Sequence, residues 1–192
     1  AALGWGTTSA HNRAQILYFL GENLEYRSDE FARRIREQTG ESLASAQKEV
    51  AASVERLFAF AGWADKYDGA VHNPPMRNVT LAMHEAIGAV GIVCPTEAPL
   101  LAFLSLVMPA IAAGNTVVAI PSEAHATILG DLYQVFDTSD LPGGVVNIVA
   151  GRPAELARTL AEHDDIAAIW CFRDGADATL VKAASIGNLK QV

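Results

Sequence analysis

The chain has 192 residues, 51% of them hydrophobic, with 14 Lys and Arg against 22 Asp and Glu and a formal net charge of −8. The basic residues are scattered, without an aromatic-basic stripe, which excludes a nucleic-acid surface; the length suffices for one sizeable core plus a helical annex. The longest apolar run, Ala98 to Ala113, is interrupted by Ser105 and Pro109 and is short for a membrane span, so it predicts a buried helix.

The first seventy residues predict helices. Asn12 to Asn23 carries Ile16, Leu17, Phe19 and Leu20 on one face. Ser28 suits the N-cap of EFARRIREQT, Asp29 and Glu30 complement its first turn, and Gly40 terminates it. A longer helix spans Leu43 to Lys66, with Val50, Val54, Leu57, Phe58 and Ala61 at helical spacing. Pro74 and Pro75 then force a loop, VHNPPMR, followed by a short extended piece, NVTLAMHEA.

From Gly88 the rhythm becomes strand, helix, strand. Gly88 to Val93, Thr116 to Ile120, VVNIVA and IAAIWCF read as strands; Pro99 to Ala113, Glu123 to Phe136, Pro153 to His163 and Ala176 to Ile186 read as helices. The strands are continuously apolar, as when helices cover both faces of a parallel sheet. The expectation is an α/β fold: a five-stranded parallel Rossmann-like sheet over 88–192, with an N-terminal helical annex and a short extended segment over 1–87. The chain opens on Ala1 rather than Met and closes on NLKQV, which reads as a strand just beginning, so it is expected to be a piece of a longer protein.

The stretch IVCPTEAPLL raises the functional question. An apolar strand runs into Pro95 and a helix starts almost at once, an arrangement that points backbone N–H groups into a cleft. Yet the G-x-G-x-x-G fingerprint of a Rossmann dinucleotide site is absent, since no glycine occurs between Gly91 and Gly114. The histidines do not pair at helical spacing, no C-x-x-C occurs, and neither a G-x-S-x-G elbow nor a P-loop is present, so no metal is expected.

The run GAVGIVCPTEAPLLAFLSLVMPAIAAGNTVVAIPSEA, with LPGGVVNIVAG, AEHDDIAAIWCF and GNLKQV, resembles the aldehyde dehydrogenase superfamily, whose cofactor domain lacks that glycine fingerprint. WADKYDG, CPTEAPLL and GNLKQV are most similar to the second module of the two-module family-16 enzymes, some of which lack catalytic residues. The resemblance implies oxidation of aldehydes by thiolate attack, hydride transfer to NAD or NADP and thioester hydrolysis, and it implies where this chain departs from that scheme. The family's junction reads P-W-N-F-P, its Asn donating to the oxyanion; here Pro95-Thr96-Glu97-Ala98-Pro99 puts Glu97 there. Loss of one such donor costs about 3–4 kcal/mol of transition-state stabilisation. A carboxylate at ~4 Å, with an effective dielectric of about 20, adds a repulsion of about 4 kcal/mol. The plainer role for Glu97 is a first-turn acid on the helix dipole.

The family's ribose clamp, a Lys near the end of the second strand and a Glu beyond it, becomes Ile120 and Glu123; Glu123 either binds ribose or caps the helix it opens. The pyrophosphate turn becomes Phe172-Arg173-Asp174-Gly175-Ala176-Asp177, where Gly175 leaves room but two acids oppose a phosphate unless Arg173 dominates; their bland role is helix capping. The family's general-base Glu and nucleophilic Cys would lie beyond Val192, and neither Cys94 nor Cys171 replaces them by position. The two lone cysteines fit a cytoplasmic location, and no signal-peptide pattern opens the chain.

The resemblance therefore implies no catalytic residue here, a degenerate oxyanion position at Glu97, and weak NAD or NADP contacts at most, through Cys94, Pro95, Thr96, Ser122, Glu123, Gly151 and Gly175. The implied partner is the aldehyde dehydrogenase catalytic domain or a partner module, with neither nucleic acid nor membrane and with a homo-oligomer left open. The function expected is the cofactor-domain portion of a catalytically degraded module with a structural or assembly role; the alternative is a fragment of an active NAD(P)-dependent aldehyde dehydrogenase.

Overall fold

A computed structural model describes residues 2–173, 175–188 and 190–192. Four helices come first: α1 (Ala2–Thr7), α2 (Ala10–Tyr26), α3 (Ser28–Thr39) and α4 (Leu43–Lys66). Side-chain caps open two of them, Ser9 accepting from the Asn12 N–H and Ser42 from the Ser45 N–H, each at 3.1 Å. Helix α3 differs from expectation. Arg27 alone separates it from α2, so Ser28 is already helical and caps nothing, while Arg27 forks onto the Glu30 carboxylate at 2.9 and 2.8 Å. Gly40 closes α3 in the left-handed conformation, as its position predicts.

The expected extended piece supplies β2 (Thr80–Ala82), which pairs in an antiparallel ribbon with β1 (Ala70–His72), a strand that takes the start of the expected loop. All six residues of the ribbon are exposed, Val71 and Val79 beside and within it are each 76% exposed, and Leu81, Met83 and Met76 are exposed with them. Its base is held by His84 stacked on Tyr67 at 4.2 Å.

The main sheet is parallel, in the order β5-β4-β3-β6, built from β3 (Ala89–Val93), β4 (Thr116–Ile120), β5 (Val146–Ile148) and β6 (Ile166–Cys171). The expected fifth strand is present as one parallel bridge, Ala168 to Gln191, with the Ile169 N–H donating to the Gln191 carbonyl at 2.8 Å. Helix α5 (Pro99–Ala112) joins β3 to β4. A 3-10 turn (Glu123–His125), α6 (Ala126–Gly130) and α7 (Leu132–Asp137) replace the single helix expected between β4 and β5. Helix α8 (Pro153–Glu162) leads to β6, and α9 (Gly175–Ala184) follows it.

Alternation along the strands sorts two cores. Val90, Ile92, Cys94, Val117, Ala119 and Ala168 join the annex helices and α5 in one cluster. Val93, Ile120 and Ile169 face α8 and α9 in the other. The annex therefore shares a core with the sheet. Helices α2 and α4 approach so closely that a Cβ on Gly21 would stand 2.9 Å from the Phe58 ring. At the far end of α5, Gly114 adopts a positive φ of 90° to turn the chain into β4. Phe103, on α5, is fully buried in the larger cluster. Phe103→Ala is expected to lower unfolding free energy by about 3–5 kcal/mol in urea denaturation; a loss under about 1 kcal/mol would contradict this packing.

Candidate functional site

In a parallel sheet every strand ends at the same edge. The loops after β5, β4, β3 and β6 therefore lie side by side, carrying Gly151, Ser122 with Glu123, Cys94 to Ala98, and Arg173 with Gly175. The strand order reverses between β3 and β6, and open α/β sheets bind ligands in the crevice beside such a switch point. The fold thus brings the sequence-predicted residues to one edge. Asp174 lies outside the described residues.

The β3–α5 corner is built as follows. The Cys94 N–H donates to the Ile120 carbonyl at 2.9 Å, extending the β3–β4 ladder by one residue. Cys94 is buried, and that desolvation pushes its thiol up to about 12, so it is an inert apolar side chain rather than a nucleophile. Thr96 and Glu97 are exposed and Pro95 is half-buried. Ala98 then turns the chain through the left-handed region, with φ 45° and ψ 63°.

This geometry corrects the expected role of Glu97. It precedes the Ala98 cap instead of lying in the first turn of α5, and it has no hydrogen-bond or ion-pair partner among the described residues. Its exposure also weakens the electrostatic argument, because water reduces a like-charge repulsion at ~4 Å toward about 1 kcal/mol.

The acid on the α5 terminus is Glu49, from α4. Its Oε1 accepts the N–H of Leu100 at 2.8 Å and of Leu101 at 3.2 Å, and the residue is only 8% exposed. Pro99 has no N–H, and the Ala102 N–H donates to the Ala98 carbonyl at 2.8 Å. Every donor in the first turn is thereby satisfied from within the protein. Burial raises the Glu49 pKa, the two backbone N–H groups oppose that rise, Glu41 adds to it, and His125 opposes it. The α4 pattern contains the signal: Glu49 falls in helical register with Ala46, Val50 and Ser53 on the buried face, where a lone carboxylate must have partners.

At the β4 end, Ile120 is the last strand residue and packs in the α8–α9 cluster, so no cation stands at the clamp position. Ser122 is buried, and Glu123 is exposed at the start of the 3-10 turn without a side-chain cap bond. His125 buries its Nδ1 without a partner. After β5, a Cβ on Gly151 would stand 3.0 Å from the Leu156 side chain, whereas Gly175 opens on free space. Arg173 donates through Nε to Asp177 at 2.8 Å, both side chains being about three-quarters buried. Arg173 is thus committed to an internal anion.

The sequence profile of the Aldehyde dehydrogenase family matches residues 1–190. The chain belongs to the aldehyde dehydrogenase family. It is 31% identical over 195 residues to the cytosolic 10-formyltetrahydrofolate dehydrogenase of Mus musculus, which covers 98% of this chain and 22% of that protein. It is 32% identical over 166 residues to the 2,5-dioxopentanoate dehydrogenase of Saccharolobus solfataricus, covering 86% and 35%. The crystal structure of an aldehyde dehydrogenase assigned as such in Burkholderia cenocepacia superposes with a TM-score of 0.94 at 30% identity, over 98% of this chain and 39% of that one. The chain thus spans from about a fifth to two-fifths of these relatives.

Membership of the family implies a nicotinamide dinucleotide. The residues present fit it only in part: Gly175 leaves space and Glu123 is free, but Ile120 is apolar, Arg173 is paired, and Glu49 occupies the α5 donors. They do not make a complete dinucleotide site. Among the described residues no three His, Cys, Asp or Glu side chains group as metal ligands, and no helix is long and apolar enough to cross a membrane.

A raised carboxyl pKa has a definite consequence for stability. The folded state holds the Glu49 proton more tightly than the unfolded chain, so this group's contribution is fully present below the unfolded value of 4.5 and is lost as pH rises through the higher folded value. Glu49→Gln removes that titration. Urea unfolding across pH 4 to 7 should show the parent losing stability relative to Glu49→Gln as pH rises; a relative gain would contradict the desolvated carboxylate.

Proposed function

We propose that this chain is the cofactor-domain portion of an aldehyde dehydrogenase family protein, in a module that has lost catalysis and serves structure or assembly. The observation that carries the reading is the corner itself: an exposed carboxylate, Glu97, stands where the resemblance places an amide donor. Two features support it. Arg173 is held by Asp177, so a pyrophosphate meets no free cation at that turn, and Ile120 removes the cationic half of the ribose clamp. The assembly role draws on the β1–β2 ribbon, whose apolar side chains have no cover in this chain and suit a partner module or a second copy. The compartment proposed is cytoplasmic, from the lone unpaired cysteines and from relatives whose name includes the word cytosolic.

The second reading keeps an active NAD(P)-dependent oxidoreductase, with base, nucleophile and another oxyanion donor supplied elsewhere in the whole protein. It is favoured by the retained Glu123 and by the space at Gly175. Calorimetric titration of the full-length protein with NAD and NADP separates the two. The degenerate module gives dissociation constants weaker than about 100 µM, or less than about 5.5 kcal/mol of binding. Micromolar binding, with turnover of simple aldehydes that a Glu97 substitution abolishes, would sink the first reading and establish the second.

A further inference from the structure

We propose that Glu49 is the positioning residue of the β3–α5 corner: it anchors the first turn of α5 from helix α4 and so fixes the path of Cys94 to Ala98. The inference stands whether or not the corner binds dinucleotide.

The corner has little else to hold it. Ala98 lies in the left-handed region without a side-chain cap, Pro99 offers no N–H, and Thr96 and Glu97 are exposed without a partner among the described residues. Among the described residues, the Cys94 N–H ties the corner to the sheet. Besides the apolar burial of Cys94, Pro99 and Leu100, the remaining polar attachment among the described residues is the Glu49 Oε1, which receives both the Leu100 and the Leu101 N–H across a separation of about fifty residues. Helix α4 is long, packed against α2 and α5 through Ala46, Val50, Val54 and Leu57, and serves as a rigid post for that carboxylate. His125, in the loop after β4, acts electrostatically on the same carboxylate. Glu41 is the other charged group that acts on it.

A helix anchored this way opens locally when the acceptor is removed, while a chain merely weakened in its core does not open there in preference. Cys94 supplies a reporter, since its thiol is buried under the corner, with half-buried Cys171 as internal reference. The experiment compares amide hydrogen exchange at Leu100 and Leu101, and alkylation of Cys94 by iodoacetamide, in the parent, Glu49→Ala, Glu49→Gln and Leu17→Ala. Leu17 is fully buried on α2, so its truncation lowers stability without touching the corner. Glu49→Ala should exceed Leu17→Ala about tenfold or more in both readouts at the corner, the factor expected on losing two hydrogen bonds. Glu49→Gln, whose amide oxygen accepts the same two bonds, should restore the parent rates to within about twofold. Equal corner rates in Glu49→Ala and Leu17→Ala, or a Glu49→Gln chain as open as Glu49→Ala, overturns the proposal. Should Glu49→Ala not fold, Glu49→Asp, one methylene too short, takes its place; if that also fails while Leu17→Ala folds, Glu49 serves the fold at large and the proposal falls.

Discussion

Helix α5 is buried along its length, and a buried helix must find partners for the polar groups at both ends. Those partners come from outside the helix. Glu49 takes the N-terminal donors. At the other end the Trp5 indole donates to the Ile111 carbonyl at 2.9 Å, Arg13 donates to the carbonyls of Ala112, also at 2.9 Å, and Thr8, and the Asn115 amide donates to Ala110 at 3.1 Å. Asn115 also accepts the N–H groups of Ile87 and Gly88, which tie the entry of β3 to the exit of α5. The annex is thus as much the polar housing of α5 as its apolar cover.

That housing fixes the shape of the β3–α5 corner apart from the chemistry of its exposed side chains. Glu97 makes no hydrogen bond among the described residues, so none of the groups that secure α5 depends on the side chain there. An exposed acid beside a helix start adds little stability either way. The form of the corner is therefore independent of the side chain at position 97. The same separation holds at the β6–α9 turn, where Arg173 and Asp177 satisfy each other and the turn closes without a ligand.

Much of the architecture was legible because its signals are strong and local. The span of α4, the limits of β4 and the parallel arrangement follow from helical spacing and continuously apolar strands. The ribbon was half hidden: an isolated pair of strands has no buried face, so Val71 and His72 carry no alternation and read as loop. The helix after β4 breaks because Gly130 weakens its middle and Arg34 draws Asp131 toward α3 at 3.1 Å, a tertiary contact invisible in sequence. At the β3–α5 corner, Glu97 reads in sequence as the acid of the α5 terminus but precedes the Ala98 cap. The true one lay in plain register on the α4 face, and its partners could be named only once the chain was folded.

A crystal structure of the whole protein grown with saturating dinucleotide is the sharpest check on whether the proposed corner keeps its form while lacking a donor for developing negative charge. The expected outcome is Glu49 on the Leu100 and Leu101 N–H groups, Glu97 turned to solvent, and no ordered nicotinamide at the β3–α5 edge. An ordered nicotinamide there, with another N–H or amide aimed into the same space, would contradict it.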